Sequence, residues 1–148
     1  MSDYVIGIDP GATKGHGVAT YKDGVLIDLS MMNLMELMDH LNHLGDIPVI
    51  HIEDLMSQKG NWHTKNQGQK SSAKTGEHLG YCKWAQVEVE RLCEYLGLKV
   101  VKHRVSRQWK CAKVGRPIFE KATGWTGDSN EDKRSAAYFG FIGLSIHQ

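Results

Sequence analysis

The strongest constraint on the fold of this chain is a pair of short apolar runs that each end on an acid. Tyr4-Val5-Ile6-Gly7-Ile8 leads into Asp9, and Val49-Ile50-His51-Ile52 leads into Glu53. Runs this short, rich in β-branched side chains, predict buried strands. If the two strands lie side by side and parallel, both acids fall at one edge of the sheet, where open α/β sheets place their ligands. A third acid, Asp132, opens an apolar-faced helix running toward Leu144, whose first turn can reach the same edge. Three crowded carboxylates repel one another, and a hard divalent cation, Mg²⁺ or Mn²⁺, is the natural relief. Such a donor set suits two-metal phosphodiester chemistry.

The elements around these acids predict an α/β sheet of mixed strand direction. Val5–Ile8, Gly17–Tyr21 and Val25–Leu29 read as three strands, with Asp23-Gly24 a hairpin signal between the last two. Met32 to Leu44 has helical apolar spacing and closes at Gly45. After the strand ending at Glu53, Ser57 to Lys70 reads as a long polar loop, and such loops in compact domains are usually functional or mobile. A helix follows from Ser71 to Leu96, with Leu79, Trp84, Val87, Arg91 and Tyr95 near one stripe, then a fifth strand at Leu98 to Val101. Ser106 to Gly115 reads as a short N-capped helix, Arg116 to Ala122 as a further helical piece, and the last helix starts near Asn130, capped by Ser129 or Asn130, with Ala136, Ala137, Phe139 and Leu144 as its buried side.

A chain of 148 residues is about one domain, able to bury roughly 68–70% of its unfolded surface. It has no room for a second large lobe. The net charge is only +1, so contact with nucleic acid must come from local basic patches. Met1-Ser2-Asp3-Tyr4 lacks the basic region and apolar stretch of a secretory signal, and no run approaches a membrane span. The expectation is a protein of the cytoplasm, bacterial or of a phage-infected host, with no membrane partner. Cys82, Cys93 and Cys111 form no CxxC pair and read as reduced, mostly buried thiols. The histidines show neither HxxxH nor HExxH spacing, which argues against zinc.

The chain resembles the RuvC-like Holliday junction resolvases of the ribonuclease H-like superfamily, phage-borne members in particular. Gly7-Ile8-Asp9-Pro10-Gly11 matches the opening motif, with a later Gly15-x-Gly17 that lets the second strand turn back, and Ile52-Glu53 matches the second acidic site. Gly76-Glu77-His78-Leu79-Gly80, the strand near Val100, Val105-Ser106-Arg107-Gln108-Trp109-Lys110 and Asp132-Lys133-Arg134-Ser135-Ala136-Ala137 follow in the family's order. The resemblance implies a ribonuclease H-like five-stranded mixed sheet flanked by helices, forming one nuclease domain over 1–148. It implies a homodimer that cuts branched DNA, with Asp9, Glu53 and Asp132 catalytic and holding two Mg²⁺ or Mn²⁺ ions per site. One position departs from the pattern. The family's final helix usually carries a second metal-facing group at i+3, commonly the more important carboxylate, and here Ser135 stands there. Ser135, Glu131 and Asp128 are the further candidates for the metal shell.

Plainer roles compete for several of these residues. Asp9 before Pro10-Gly11 also suits an Asx-type turn, and Asp132 suits a helix N-terminus through the macrodipole. Lys133-Arg134 reads as a solvated helix face, and Trp84 and Trp109 as core. Two basic clusters are candidates for DNA: Lys59, Trp62, His63, Lys65, Lys70 and Lys74 in or after the long loop, and Lys102, His103, Arg104, Arg107, Lys110 and Lys113 after the fifth strand. Lys110 or a neighbouring cation is the candidate for stabilising charge on the phosphate. The competing functions are a resolvase-like module that binds junctions without efficient cleavage, because of Ser135, and the sugar-kinase and actin-like ATPases. The latter need two lobes and a second phosphate loop.

Overall fold

The computed structural model describes residues 3–57 and 69–146, with side chains from 77 onward in the second stretch. The elements are β1 (Tyr4–Asp9), β2 (His16–Lys22), β3 (Val25–Met32), α1 (Leu34–Asn42), β4 (Val49–Asp54), α2 (Gln69–Leu96), β5 (Val100–Arg104), α3 (Gly115–Thr123) and α4 (Glu131–Ile146). The five strands form one mixed sheet in the order β3-β2-β1-β4-β5. β1 pairs antiparallel with β2 and parallel with β4, and β4 pairs parallel with β5. At the β2–β3 turn, Asp23 and Gly24 have φ of 51° and 81°, the pair of positive values a type I′ turn requires.

Strand alternation distributes the side chains between two cores. Ile6, Ile8, Val18, Ile50 and Ile52 face α1 and α2, where Leu37, Leu41, Val89, Leu92 and Cys93 cover them. Val5, Ala19 and Tyr21 face the other way, onto Ala136 and Ala137 of α4, Phe119 of α3, and Trp109. By the same alternation Gly7 and Asp9 on β1, and His51 and Glu53 on β4, point toward α4. Gly7 brings the layers close: a Cβ there would sit 2.0 Å from the carbonyl oxygen of Ala136. The helix backbone therefore rests directly on the middle of the sheet.

Several sequence expectations need correction. Met32 belongs to β3, and α1 begins only after Asn33, whose side chain accepts from the Glu36 N–H while the Glu36 carboxylate accepts from the Asn33 N–H. β5 lies two to three residues later than Leu98–Val101, because an edge strand tolerates the exposed Lys102 and Arg104 that made this stretch read as loop. The buried stripe of α2 is Ala85, Gln86, Val89, Leu92 and Cys93, whereas Trp84 and Tyr95 are 60% and 83% exposed. Trp84 lies outside the core and stacks with Arg91, whose guanidinium carbon is 5.3 Å from the ring centroid. Among the cysteines only Cys93 is buried; Cys82 is half-buried and Cys111 exposed, all three as free thiols. Residues 106–114 form turns in place of a helix, with Trp109 at φ 67°.

Candidate active site

The C-terminal ends of β1 and β4 lie together, as parallel pairing requires. Ile8 is paired with Ile52, and Asp9 and Glu53 are the next residue on each strand. Both carboxylates are buried, at 5% and 4% exposure. Asp132 enters from α4, whose start is fixed by Asn130: its side chain accepts from the Lys133 N–H and its carbonyl from the Arg134 N–H. Gly17, the register partner of Asp9 on β2, leaves room for this turn. A Cβ on Gly17 would meet the carbonyl oxygen of Asp132 at 2.4 Å. The small residue serves the approach of α4 more than the strand reversal suggested by Gly15-x-Gly17.

The electrostatics are those of acids forced together. Burial, opposed by the Lys110 ammonium and a hydrogen bond from Ser135 and reinforced by the charge of Asp132, pushes Asp9 up from 3.8 to about 6. Burial and the charge of Asp9 push Glu53 up from 4.5 to about 7, against Lys110 and a backbone N–H from Ser106. The Lys110 Nζ stands 3.5 Å from Asp9 Oδ2, an ion-pair contact without hydrogen-bond alignment. Asp9 Oδ2 is thus a buried oxygen whose partner is that ammonium, with no short hydrogen bond of its own. Across the site, the Cys82 thiol on α2 is pushed up by burial and by Asp9, Asp132 and Glu53, while the Ala12 N–H lowers it.

This donor set fits a hard cation by its chemistry: buried carboxylates that suppress one another's ionisation, and one oxygen with an unused lone pair. Among the described residues, no three His, Cys, Asp or Glu side chains are gathered into a formed cage. Lys110 supplies the positive charge beside Asp9. Ser135, 1% exposed, is brought to Asp9, whereas Glu131 and Asp128 are exposed.

No protein-family model matches the chain, and no curated protein matches it in sequence. Its three-dimensional structure does have counterparts. Thermus thermophilus RuvC, solved in complex with a Holliday junction substrate, superposes with a TM-score of 0.69 at 14% identity, over 97% of this chain and 94% of that one. A second structure of Thermus thermophilus RuvC gives 0.64 at 14% identity, over 97% and 95%. The Fowlpox virus resolvase, solved with Holliday junction DNA, gives 0.55 at 12% identity, over 96% and 99%. The fold is that of the RuvC-like resolvases.

Within this RuvC-like fold, the candidate DNA contacts divide into two groups. Arg104 ends β5 and Arg107 follows it, both exposed, and Lys110 is half-buried at Asp9. Lys59, Trp62, His63 and Lys65 lie outside the described residues, and Lys70 and Lys74 lie in the part of α2 whose side chains are not described.

Two buried polar residues near the site were not among the sequence candidates. Gln86 is fully buried, and its Oε1 accepts from the N–H groups of Leu55 and Met56 at 2.6 and 2.9 Å while its Nε2 donates to Asp54 and Glu90 at 2.9 and 3.1 Å. It fixes the chain leaving Glu53. Arg134, read as part of a solvated face, is 3% exposed. A glutamine on a buried helix stripe marks a needed polar partner and could have been noticed. A lone arginine after Asp132-Lys133 could not.

Proposed function

We propose that this protein is a metal-dependent, structure-selective endodeoxyribonuclease that cuts four-way or other branched DNA. The observation that carries the reading is the pair of buried carboxylates, Asp9 and Glu53, side by side at one sheet edge and near enough to Asp132 to feel its charge. The RuvC-like fold over nearly the whole chain supports it.

Asp9, Glu53 and Asp132 are the residues that would hold Mg²⁺ or Mn²⁺. Such ions, when bound, supply an activated water and neutralise charge on the phosphate and the leaving 3′ oxygen. The chain's own groups do the rest. Burial keeps Asp9 and Glu53 protonated in slightly acidic solution, so they become ligands by losing protons as the pH rises through 6 to 7. Ser135, buried beside Asp9, favours its ionised form. Lys110, near enough to feel the same charges, balances the anionic phosphate. Arg104 and Arg107, together with the basic residues between 59 and 74, are the proposed backbone contacts. Because a four-way junction is two-fold symmetric, paired incisions call for two equivalent sites, and a homodimer is the proposed working unit.

Ser135 favours a second reading, a junction-binding module with weak cleavage, because a hydroxyl compensates a cation less than a carboxylate does. One experiment separates the two: the purified protein is incubated with a synthetic four-way junction and a matched linear duplex, in Mg²⁺, in Mn²⁺ and in chelator. Metal-dependent nicking confined to the junction supports the nuclease. Junction-selective retention on a gel without nicking supports the binder, and equal affinity for both DNAs overturns both readings.

A further inference from the structure

Arg134 breaks two local rules at once. It places a cation in the first turn of α4, where the helix dipole disfavours positive charge. It is also buried, yet among the described residues no carboxylate lies within ion-pair distance of it. Its hydrogen bonds all go to neutral oxygens. Nε donates to the Trp109 carbonyl at 2.9 Å, one terminal nitrogen to Ser129 Oγ at 2.9 Å, and the other to the Lys110 carbonyl. A buried guanidinium needs its donors satisfied, so these contacts are constraints on the turn that supplies the carbonyls.

The Trp109 ring is anchored in the core against Phe119, Tyr138 and Phe141, and the Lys110 N–H donates to the Arg107 carbonyl, but the carbonyls of Trp109 and Lys110 are held by Arg134. Trp109 adopts φ 67°, a left-handed conformation that a bulky residue keeps only when its surroundings impose it. Gly115 closes against it from the other side: a Cβ there would lie 2.5 Å from the Trp109 carbonyl carbon. The residue emerging from the turn is Lys110, whose Nζ reaches 3.5 Å from Asp9 Oδ2. Adjacent on the same helix, buried Ser135 lies close enough to Asp9 to help lower its pKa. The first turn of α4 thus addresses Asp9 twice, once through Ser135 and once through Arg134 and the Lys110 backbone.

We infer that Arg134 is a positioning residue whose planar fork, by gripping the Trp109 and Lys110 carbonyls, sets the Lys110 ammonium beside Asp9. The consequence for cleavage rests on the nuclease reading; the grip itself does not. Lysine has the charge of arginine but offers no fork able to hold two carbonyls and a hydroxyl together, so Arg134→Lys separates geometry from charge.

The test uses the full chain with Arg134→Lys, Lys110→Ala and the double variant. Without DNA or metal, amide hydrogen exchange over residues 105–114 is expected to quicken about tenfold in Arg134→Lys while the amides of β1 and β4 keep the parent's rates. With a four-way junction and Mg²⁺, Arg134→Lys is expected to lower the single-turnover rate on the order of 10- to 100-fold, with junction affinity within twofold. In the Lys110→Ala background the same change should cost nothing further, since the group it positions is gone. An equal cost in both backgrounds, or unchanged exchange at 105–114, overturns the inference. If the parent cuts no junction, the nuclease reading fails and the exchange result still decides whether Arg134 holds the turn. If Arg134→Lys does not fold, Ser129→Ala removes one of the three acceptors, and the expected outcome is the same local quickening at a smaller size. Unchanged exchange in Ser129→Ala, with the parent's cleavage rate, then counts against the inference.

Discussion

Gly17 touches Asp132: a Cβ added to the glycine would stand 2.4 Å from the carbonyl oxygen of the aspartate. Since Gly17 is also the register partner of Asp9, the gap between the two acidic elements is set by the absence of one side chain. Gly17→Ala should push the first turn of α4 outward and cost about 1–3 kcal/mol, as overpacking does elsewhere. The expected outcome is a lower denaturation midpoint together with loss of junction cleavage while junction binding persists. A variant with the parent's cleavage rate would show that α4 can withdraw without disturbing the site.

Asp9→Asn keeps the shape of the side chain and removes its charge. On the proposed function it should reduce junction cleavage below detection while leaving junction affinity within a few-fold, because the exposed cations of Arg104 and Arg107 are untouched. Glu53→Gln should do the same. Near-parental nicking by either variant, measured on folded protein, would remove that carboxylate from the proposed metal shell.

The raised pKa values of Asp9 and Glu53, about 6 and about 7, also fix a direction for stability against pH. The folded state holds these protons more tightly than the unfolded chain, so stability is greatest where both are protonated. It falls as pH rises from about 4 through 7, the reverse of a salt-bridged carboxylate. At 1.36 kcal/mol per pH unit, Asp9 alone costs the metal-free protein roughly 3 kcal/mol at pH 8. Asp9→Asn should therefore melt higher than the parent in chelator at pH 8, and the advantage should shrink toward pH 5. An advantage that is the same at both pH values would show that ionisation of Asp9 is not what destabilises the parent.

Much of this arrangement was legible in the chain. The apolar runs before Asp9 and Glu53 carried both their strand character and, by period-two alternation, a shared edge, and Asp23-Gly24 announced its hairpin. What stayed hidden depends on packing that no local pattern encodes. Trp84 falls near a helical stripe yet is exposed, because α2 turns Ala85 and Val89 to the sheet instead. Residues 106–114 have helix-start chemistry at Ser106, but Trp109 takes a left-handed φ, with its carbonyl bonded by Arg134 from the distant α4 and its backbone pressed by Gly115. Sequence patterns see what a residue prefers; they do not see which backbone a buried guanidinium will grip.

Arg104 and Arg107 are exposed on the segment that runs from β5 to Lys110. If both contact phosphates, Arg104→Ala with Arg107→Ala should weaken binding to branched and linear DNA alike. It should also flatten the log–log salt dependence by about 0.9 per lost duplex contact. The measurement is affinity across a salt series. A slope equal to the parent's would place the DNA on another surface.

Ser135 is the residue at which the family resemblance and this chain disagree, and its surroundings give the disagreement a direction. It is buried beside Asp9, so Ser135→Asp would set a further carboxylate against Asp9, with Glu53 and Asp132 already raising the local negative charge. Without metal at pH 8, like-charge repulsion in a buried site should lower stability; a loss of 2 kcal/mol would appear as a melting decrease of about 4–8 °C in a chain of this size. A divalent cation should then restore more than it does in the parent, because it binds the folded state alone and meets one more ligand there. The comparison is the rise in melting temperature on adding Mg²⁺ to each protein in parallel. Equal rises would mean that this face of α4 does not reach a bound cation, and Ser135 would be a buried neighbour of Asp9 and nothing more.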